Sequence, residues 1–593
     1  MQRCASCHEG VNDRAPRVEA LGMMSPKKVY AALTTGPMVA MATGLSDVEK
    51  KTLVEYLTGQ DIDRVSKPYP QVQCKNGSPW FDYARHPRAS GWGIADTTNT
   101  RFIPAAVAQL PASDVGRLKL KWAFSFPNTF SPRSQPAVAG GAVFVGDNAG
   151  NLYALDAKTG CVHWTTPVEN QIRTAFSVTD WAGDRGRSSA HAPTLYFGDG
   201  SVHTYAVNAV TGKVRWKTKI DDHPFARLTG APTLQQSKQG NRLYVPVSSN
   251  ETMMSPNPQY PCCTFRGSVT ALDAETGEVI WKTYVIPTAP TERSRGAGIP
   301  HFGPSGAGVW DSPTLDEKRG RLYVGTGENH VSPVENGGAV VALGLSDGAI
   351  TWVKQIYAGE TYNESCAEGD HWNCPPEYKG RMGLDVSASP LLLRANDGKD
   401  ILVAANKPGD VLGLDPDQEG KILWRRRISR GDYNWGVLFG MAVEGRTVFA
   451  GVHNKYSTNF DRGPYWGEEE LGLYAMDGFT GEPIWTAPVS RDCHQPRCQG
   501  YAAALTAIPG VVFAGAKDGY FRAFDSATGK LIWEFNTAQT FQSLNGQPAH
   551  GGALNGPGAV VVDGMVFLNS GYPDGGFSNL TGNVFLAFSV DGK

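Results

Sequence analysis

The chain has 593 residues, of which 69 are Gly and 39 Pro, well above the averages of about 7% and about 5%, so turns are frequent. Hydrophobic residues make up 41% and charged ones 19%, enough for a large core, and this excludes disorder as the main state. With 55 basic and 57 acidic residues the chain lacks the cationic footprint of nucleic-acid binding. No apolar run reaches about 18 residues, so no membrane span is expected.

The chain opens Met1-Gln2-Arg3-Cys4, without a basic region leading into an apolar one, so no signal peptide is expected in this numbering. Ten Cys nevertheless read as those of an exported protein that pairs them, with Cys366 and Cys374, and Cys493 and Cys498, as local pairs. Cys4-Ala5-Ser6-Cys7-His8 has the C-x-x-C-H spacing of haem c attachment, in which two thiols meet the vinyl groups and the next imidazole reaches the iron. A zinc site would need a second Cys or His pair nearby, and none stands before Cys74. Met23, Met24, Met38 and Met41 are candidates for the sixth ligand. Ser46 with Glu49 predicts a capping box for a helix through Leu57, with apolar residues at Val48, Leu53, Tyr56 and Leu57. That helix resembles the last helix of small bacterial cytochromes c, which follows a Met-bearing loop. On that resemblance Met38 is the ligand and Met41 the runner-up. Such cytochromes also carry a helix ahead of the first Cys, where this sequence has three residues, so the domain is expected to be incomplete. Residues 1–60 are read as a small α-helical cytochrome c domain, and 61–115 as linker and entry segment.

From residue 116 to 593 one motif recurs. Ala154-Leu155-Asp156-Ala157-Lys158-Thr159-Gly160-Cys161-Val162-His163-Trp164 has relatives ending in Trp216, Trp281, Trp352, Trp424, Trp485 and Trp533, each with Gly four residues earlier. Short β-rich runs precede each copy. Ordinary core Trp would not keep a fixed offset from Gly. Such repeats, each with room for about four strands, predict a β-propeller whose Trp side chains wedge between blades. The last copy, Ala587-Phe588-Ser589-Val590-Asp591-Gly592-Lys593, lacks its Trp, whereas Leu118-Lys119-Leu120-Lys121-Trp122 is an outer strand without a turn before it. Joining these two gives an eighth blade and closes the ring, so the fold class is an all-β eight-bladed propeller behind the helical domain.

The eightfold Ala-x-Asp-x-x-x-Gly-x-x-x-Trp repeat resembles the pyrroloquinoline quinone (PQQ) dehydrogenases, as do Gly91-Trp92-Gly93, Asn99-Thr100-Arg101-Phe102 and Gly116-Arg117-Leu118. The haem motif, Thr159-Gly160-Cys161, Cys262-Cys263-Thr264-Phe265-Arg266-Gly267-Ser268 and Asn569-Ser570-Gly571-Tyr572 are similar to the cytochrome-containing, polymer-oxidising branch of that family, the polyvinyl alcohol dehydrogenases. The resemblance covers essentially the whole chain. It implies a periplasmic quinohaemoprotein that takes an alcohol polymer or a small alcohol as substrate and a soluble cytochrome c or similar carrier as electron acceptor. PQQ, calcium and haem c are the implied cofactors.

The resemblance also implies the site. Glu251 in Ser248-Ser249-Asn250-Glu251 and Asn329 in Gly325-Thr326-Gly327-Glu328-Asn329 match calcium ligands, since a hard cation takes oxygen donors. Asp385 in Leu384-Asp385-Val386-Ser387 matches the catalytic base and a calcium neighbour. The family usually has Gly where Ser387 stands, and members using lanthanides carry a further Asp at that place, so calcium is favoured. Glu360, Glu364 and Asp370, in a Cys-flanked insertion, are rival acids for the base but are expected to be surface groups. Lys407 matches the cation on the quinone oxygens, Trp310 the indole floor under the cofactor, and Thr229 and Arg173 the partners of its carboxylates. Cys262 and Cys263 either form an adjacent-Cys ring covering the cofactor or make two separate bridges, to Cys74 and Cys161. A propeller acting only as a binding or assembly scaffold would need none of Glu251, Asn329, Asp385, Lys407 and the haem motif.

Overall fold

The computed structural model describes residues 21, 26–36, 38–39, 41–58, 62, 72–75, 80–84, 89–127, 129–181, 183–188, 191–257, 259–296, 298–366, 373–376, 378, 383–395, 398–429, 436–453, 471–489, 500–573 and 580–593. Within them the chain folds into an eight-bladed β-propeller. Seven blades are four-stranded antiparallel sheets and the third has five strands. In the first blade, Ala137–Ala139, Ala142–Gly146, Asn151–Asp156 and Val162–Pro167 follow in sequence order. The inner strands are buried on both faces and carry Val, Ala, Leu and Phe, while the outermost alternates with solvent.

The Gly-to-Trp offset has a packing cause. Seven of the Trp residues, from Trp122 to Trp485, lie against the turn of the next blade, whereas Trp533 donates to the Leu118 carbonyl of the closing strand. A Cβ at Gly160, Gly212, Gly277, Gly348, Gly420, Gly481 or Gly529 would lie within 3.0 Å of the preceding blade's indole, and each of these Gly residues has a positive φ near 70°. The indole nitrogen then donates to a turn carbonyl: Trp122 to Ala157, Trp164 to Ala209, Trp216 to Ala274, Trp485 to Ser526. Trp352 departs from this pattern. Its Nε1 is buried without a partner among the described residues. The facing turn holds Pro416 and one residue more before its Gly, and Arg321 takes the Pro416 carbonyl.

The ring closes as the incomplete repeat requires. Leu118–Ser125 forms the outer strand of the last blade, pairing in register from Leu118 with Val590 to Ser125 with Val584. Residues 89–103 run along one end of the ring and join it blade by blade: Ala89 pairs with Val138, and the Thr97, Thr98, Thr100 and Arg101 carbonyls accept from Leu315, Leu392, Val443 and Ala507. Arg101 is fully buried there and donates to the carbonyls of Leu505 and Trp92 and to Gln135. Burial without a carboxylate partner brings its pKa down to about 9.

At the N-terminal end, helices Pro26–Thr34 and Asp47–Thr58 pack together. The capping box forms: the Ser46 N–H donates to Glu49, and the Glu49 N–H donates to the Ser46 hydroxyl. The buried face is Val54 with Leu53 and Leu57, whereas Val48 and Tyr56 point to solvent, so two of the expected apolar positions are not core. Met38 packs against this small cluster and Met41 is exposed. Cys4, Cys7, His8, Met23 and Met24 lie outside the described residues, as do Asp370, Cys493 and Cys498. Cys366 bridges Cys374, and Cys74 bridges Cys161, tying the linker to the first blade.

Candidate active site

A cavity of about 320 Å³ opens among the ends of the inner strands, with Trp310, Asp385, Lys407, Thr229 and Arg173 in its wall. Five of the residues expected at the site therefore meet. Asp385 immediately precedes the strand Val386–Arg394, and its carbonyl accepts from the Lys407 N–H at the end of the neighbouring strand Asp400–Asn406. That backbone bond sets the two side chains together. Asp385 Oδ2 receives Lys407 Nζ at 2.5 Å and Trp310 Nε1 at 3.2 Å, and Oδ1 receives the Glu328 N–H at 3.0 Å. Phe439 meets the indole edge-on. Thr229 sits beside Gly230, where a Cβ would collide with the Asp311 carbonyl at 2.0 Å. That close approach requires glycine. Arg173 donates to the Tyr572 hydroxyl, whose ring lies under Arg133.

The electrostatics favour one ionised base. Burial pushes Asp385 up, but the Lys407 ammonium and hydrogen bonds from Glu328 together outweigh it and hold the carboxyl below its usual range. Burial first, and the Asp385 charge second, raise Glu328 well above the usual carboxyl range. Burial lowers Lys407, but Asp385 and Glu328 more than reverse this, so it stays a cation.

The expected calcium trio does not assemble. Glu251 is fully buried and its oxygens are already engaged: Oε1 accepts from Thr264 N–H and Tyr260 hydroxyl, and Oε2 from Phe265 N–H, with His223 and His330 alongside. Burial pushes this carboxyl up, yet His223 and His330 hold it well below its usual range. Asn329 turns away from the cavity. Its Oδ1 accepts from the Glu335 N–H, and Gly337 lies so close that a Cβ there would fall 1.9 Å from Asn329 Nδ2. Glu328, one residue earlier, lines the cavity instead. Strand alternation explains the correction: Asn329 begins the strand Asn329–Val331, pairing with Gly306, so its side chain and that of Glu328 leave on opposite sides.

Cys262 and Cys263 are bonded to each other, which decides against separate bridges. They are buried beside Tyr260 and Val331 and do not line the cavity, so the covering role implied by the resemblance is not what this geometry provides. The expectation that Glu360 and Glu364 are surface groups is also overturned. Each is 4% exposed; Glu360 accepts from the Leu384 N–H, and Glu364 lines the cavity and accepts from the Tyr362 hydroxyl. Their insertion folds inward because Ser365 and Asn373 bond to Ser255.

A planar aromatic polycarboxylate fits this wall: a flat indole for stacking, and Lys407 and Arg173 for its anionic edges. Oxygen donors that suit a hard cation also line this wall, on Asp385 and Glu328.

Residues 92–363 match the family described as glucose/ethanol/alcohol dehydrogenase, beta-propeller domain, and residues 407–573 match that of outer membrane protein assembly factor BamB. Polyvinylalcohol dehydrogenase of Pseudomonas sp is 36% identical over all of this chain and 93% of its own length, and that of Sphingopyxis sp. strain 113P3 is 36% identical over 100% and 92%. Among solved structures, quinohemoprotein alcohol dehydrogenase ADHIIG of Pseudomonas putida HK5 superposes with a TM-score of 0.61 at 18% identity, over 88% of this chain and 83% of that one. Propeller, cavity chemistry and full-length identity agree, and the chain belongs to the PQQ-dependent alcohol dehydrogenases, as a relative of the polyvinylalcohol dehydrogenases.

Proposed function

We propose that the protein oxidises secondary alcohol groups of a polyvinyl alcohol-like polymer in the periplasm, and passes electrons singly through haem c to a soluble cytochrome c or similar acceptor. The observation that carries this reading is the 36% identity to polyvinylalcohol dehydrogenase along the entire chain. When bound, PQQ supplies a carbonyl carbon that accepts the hydride from the carbinol carbon. Asp385, ionised and held by Trp310 and Lys407, takes the hydroxyl proton on a carboxylate oxygen. Lys407 would place a positive charge beside the oxygens of a bound quinone. Trp310 would supply the stacking floor for the cofactor, and Thr229 and Arg173 would meet its carboxylates. Calcium would be held on Asp385. Cys4, Cys7, His8 and Met38 would hold a haem c, which would supply one-electron transfer to an external carrier.

The test is reconstitution of the full chain with PQQ and calcium, comparing polyvinyl alcohol with small primary and secondary alcohols. A higher kcat/KM for the polymer is expected, and equal or better turnover of small alcohols would refute the polymer assignment. Asp385→Asn should lower alcohol-dependent dye reduction by at least about 100-fold while PQQ stays bound. Retained turnover would remove Asp385 as the base.

A further inference from the structure

Part of the cavity wall reaches the surface on a short turn. Asn250, Thr252 and Met253 line the cavity, on the single helical turn Glu251–Met254 and the residue before it. Met253 is 58% exposed, so a large thioether side chain belongs at once to the cavity and to the solvent-facing surface. Asn250 is exposed as well. An Asn in front of a helical turn commonly accepts one of its first N–H groups, but this side chain does not cap the turn. The turn is fixed from beneath. Buried Glu251 accepts from Tyr260, Thr264 and Phe265, while the Ser255 hydroxyl and carbonyl accept from the Ser365 N–H and the Asn373 amide. The exposed groups are therefore preorganised by buried ones. Charge is absent from this surface: residues 249–265 include one charged side chain, Glu251, and it is buried, in a chain that is 19% charged. Such a surface offers nothing to an ionic ligand and suits a neutral one.

We propose that Asn250, Thr252 and Met253 form a lip that binds the neutral hydroxylated chain flanking the carbinol under oxidation. The proposal rests on the polymer reading above and assigns the recognition of the polymer to residues of this chain. Met253 packs along methylene groups, and its unbranched thioether adapts to an irregular partner. The Asn250 amide and the Thr252 hydroxyl pair with hydroxyls of neighbouring units. An alcohol with a single carbinol has no flanking units for the lip to hold, so the lip distinguishes a polymer from a small alcohol, through binding energy gained away from the reacting carbon.

The test compares polyvinyl alcohol with isopropanol in steady-state kinetics of the full chain reconstituted with PQQ and calcium, alongside calorimetric binding of polyvinyl alcohol to the same proteins. The variants are Met253→Ser, Asn250→Ala and, as a control for an exposed apolar side chain on an outer strand, Leu423→Ala. Met253→Ser should raise KM for the polymer at least about fivefold more than KM for isopropanol, with Asn250→Ala shifting it about threefold in the same sense. Calorimetry should show polymer binding weakened in both, and Leu423→Ala should match wild type in every measurement. Equal changes for the two substrates, or polymer affinity unchanged in both lip variants, would overturn the assignment. A wild type that oxidises isopropanol but neither binds nor oxidises the polymer overturns the polymer reading and the lip with it. A wild type that prefers the polymer, with lip variants that keep the same preference, removes only the lip.

Discussion

Asp410 shows how a single buried carboxylate ties stability to pH. It is 1% exposed, accepts from Arg427 and Arg425, and takes the Tyr357 hydroxyl. Burial raises its pKa, but the two guanidinium partners outweigh that and hold it below the usual aspartate range. A lowered folded-state pKa gives stability that is present above the unfolded value and lost as pH falls through the folded one. Asp410→Asn should therefore cost about 3 kcal/mol at neutral pH, and the gap from wild type should narrow below about pH 4. Urea unfolding at both pH values checks this, and an unchanged gap would contradict it. Residue-scale legibility was uneven for the same kind of reason. Asp385, Lys407 and Trp310 sit in segments whose local pattern carries them to the cavity. Whether Glu328 or Asn329 faces it depends on pairing with Gly306, which no local pattern encodes. The burial of Glu364 depends on Ser255, over a hundred residues away in sequence.

At the scale of one blade, the Trp and Gly of successive repeats form a single contact, so their spacing was legible before any strand was placed. Gly481 and Gly445 separate the two demands on glycine. Both have positive φ, but a Cβ on Gly481 would lie 2.5 Å from Trp424 and one on Gly445 meets nothing. Alanine at either pays the left-handed strain of about 1 kcal/mol, and Gly481→Ala should lose at least about 1 kcal/mol more from overpacking. Equal urea midpoints for the two variants would show that turn conformation alone keeps these glycines. The unpartnered indole of Trp352 was not legible, because it follows from one extra residue in a neighbouring turn.

For the whole molecule, the segment at residues 89–103 couples blades that are far apart in sequence. Arg101 gives its guanidinium to Trp92, Gln135 and Leu505, so Arg101→Met would strand several buried acceptors at once. A loss of about 3 kcal/mol or more is expected, seen as a lower urea midpoint with one cooperative transition. A loss below about 0.5 kcal/mol would show that the segment is ornamental to stability. The propeller class was legible from repeat count and the split eighth copy, whereas the path of this segment across the ring end was not, since its residues carry no repeat of their own.

The shared last blade has a consequence for biosynthesis. Leu118–Ser125 is made long before its partner Val584–Val590. The Arg117 to Asp591 ion pair spans 474 positions. Seven blades can be assembled while the chain is still growing, but the circle cannot shut until Val584–Val590 has been made, and the chain entropy of that final step falls on one strand pair. A nascent chain stopped short of Val584 keeps an open edge on Leu118–Ser125, which makes the closing strand a built-in check that the whole ring has been made.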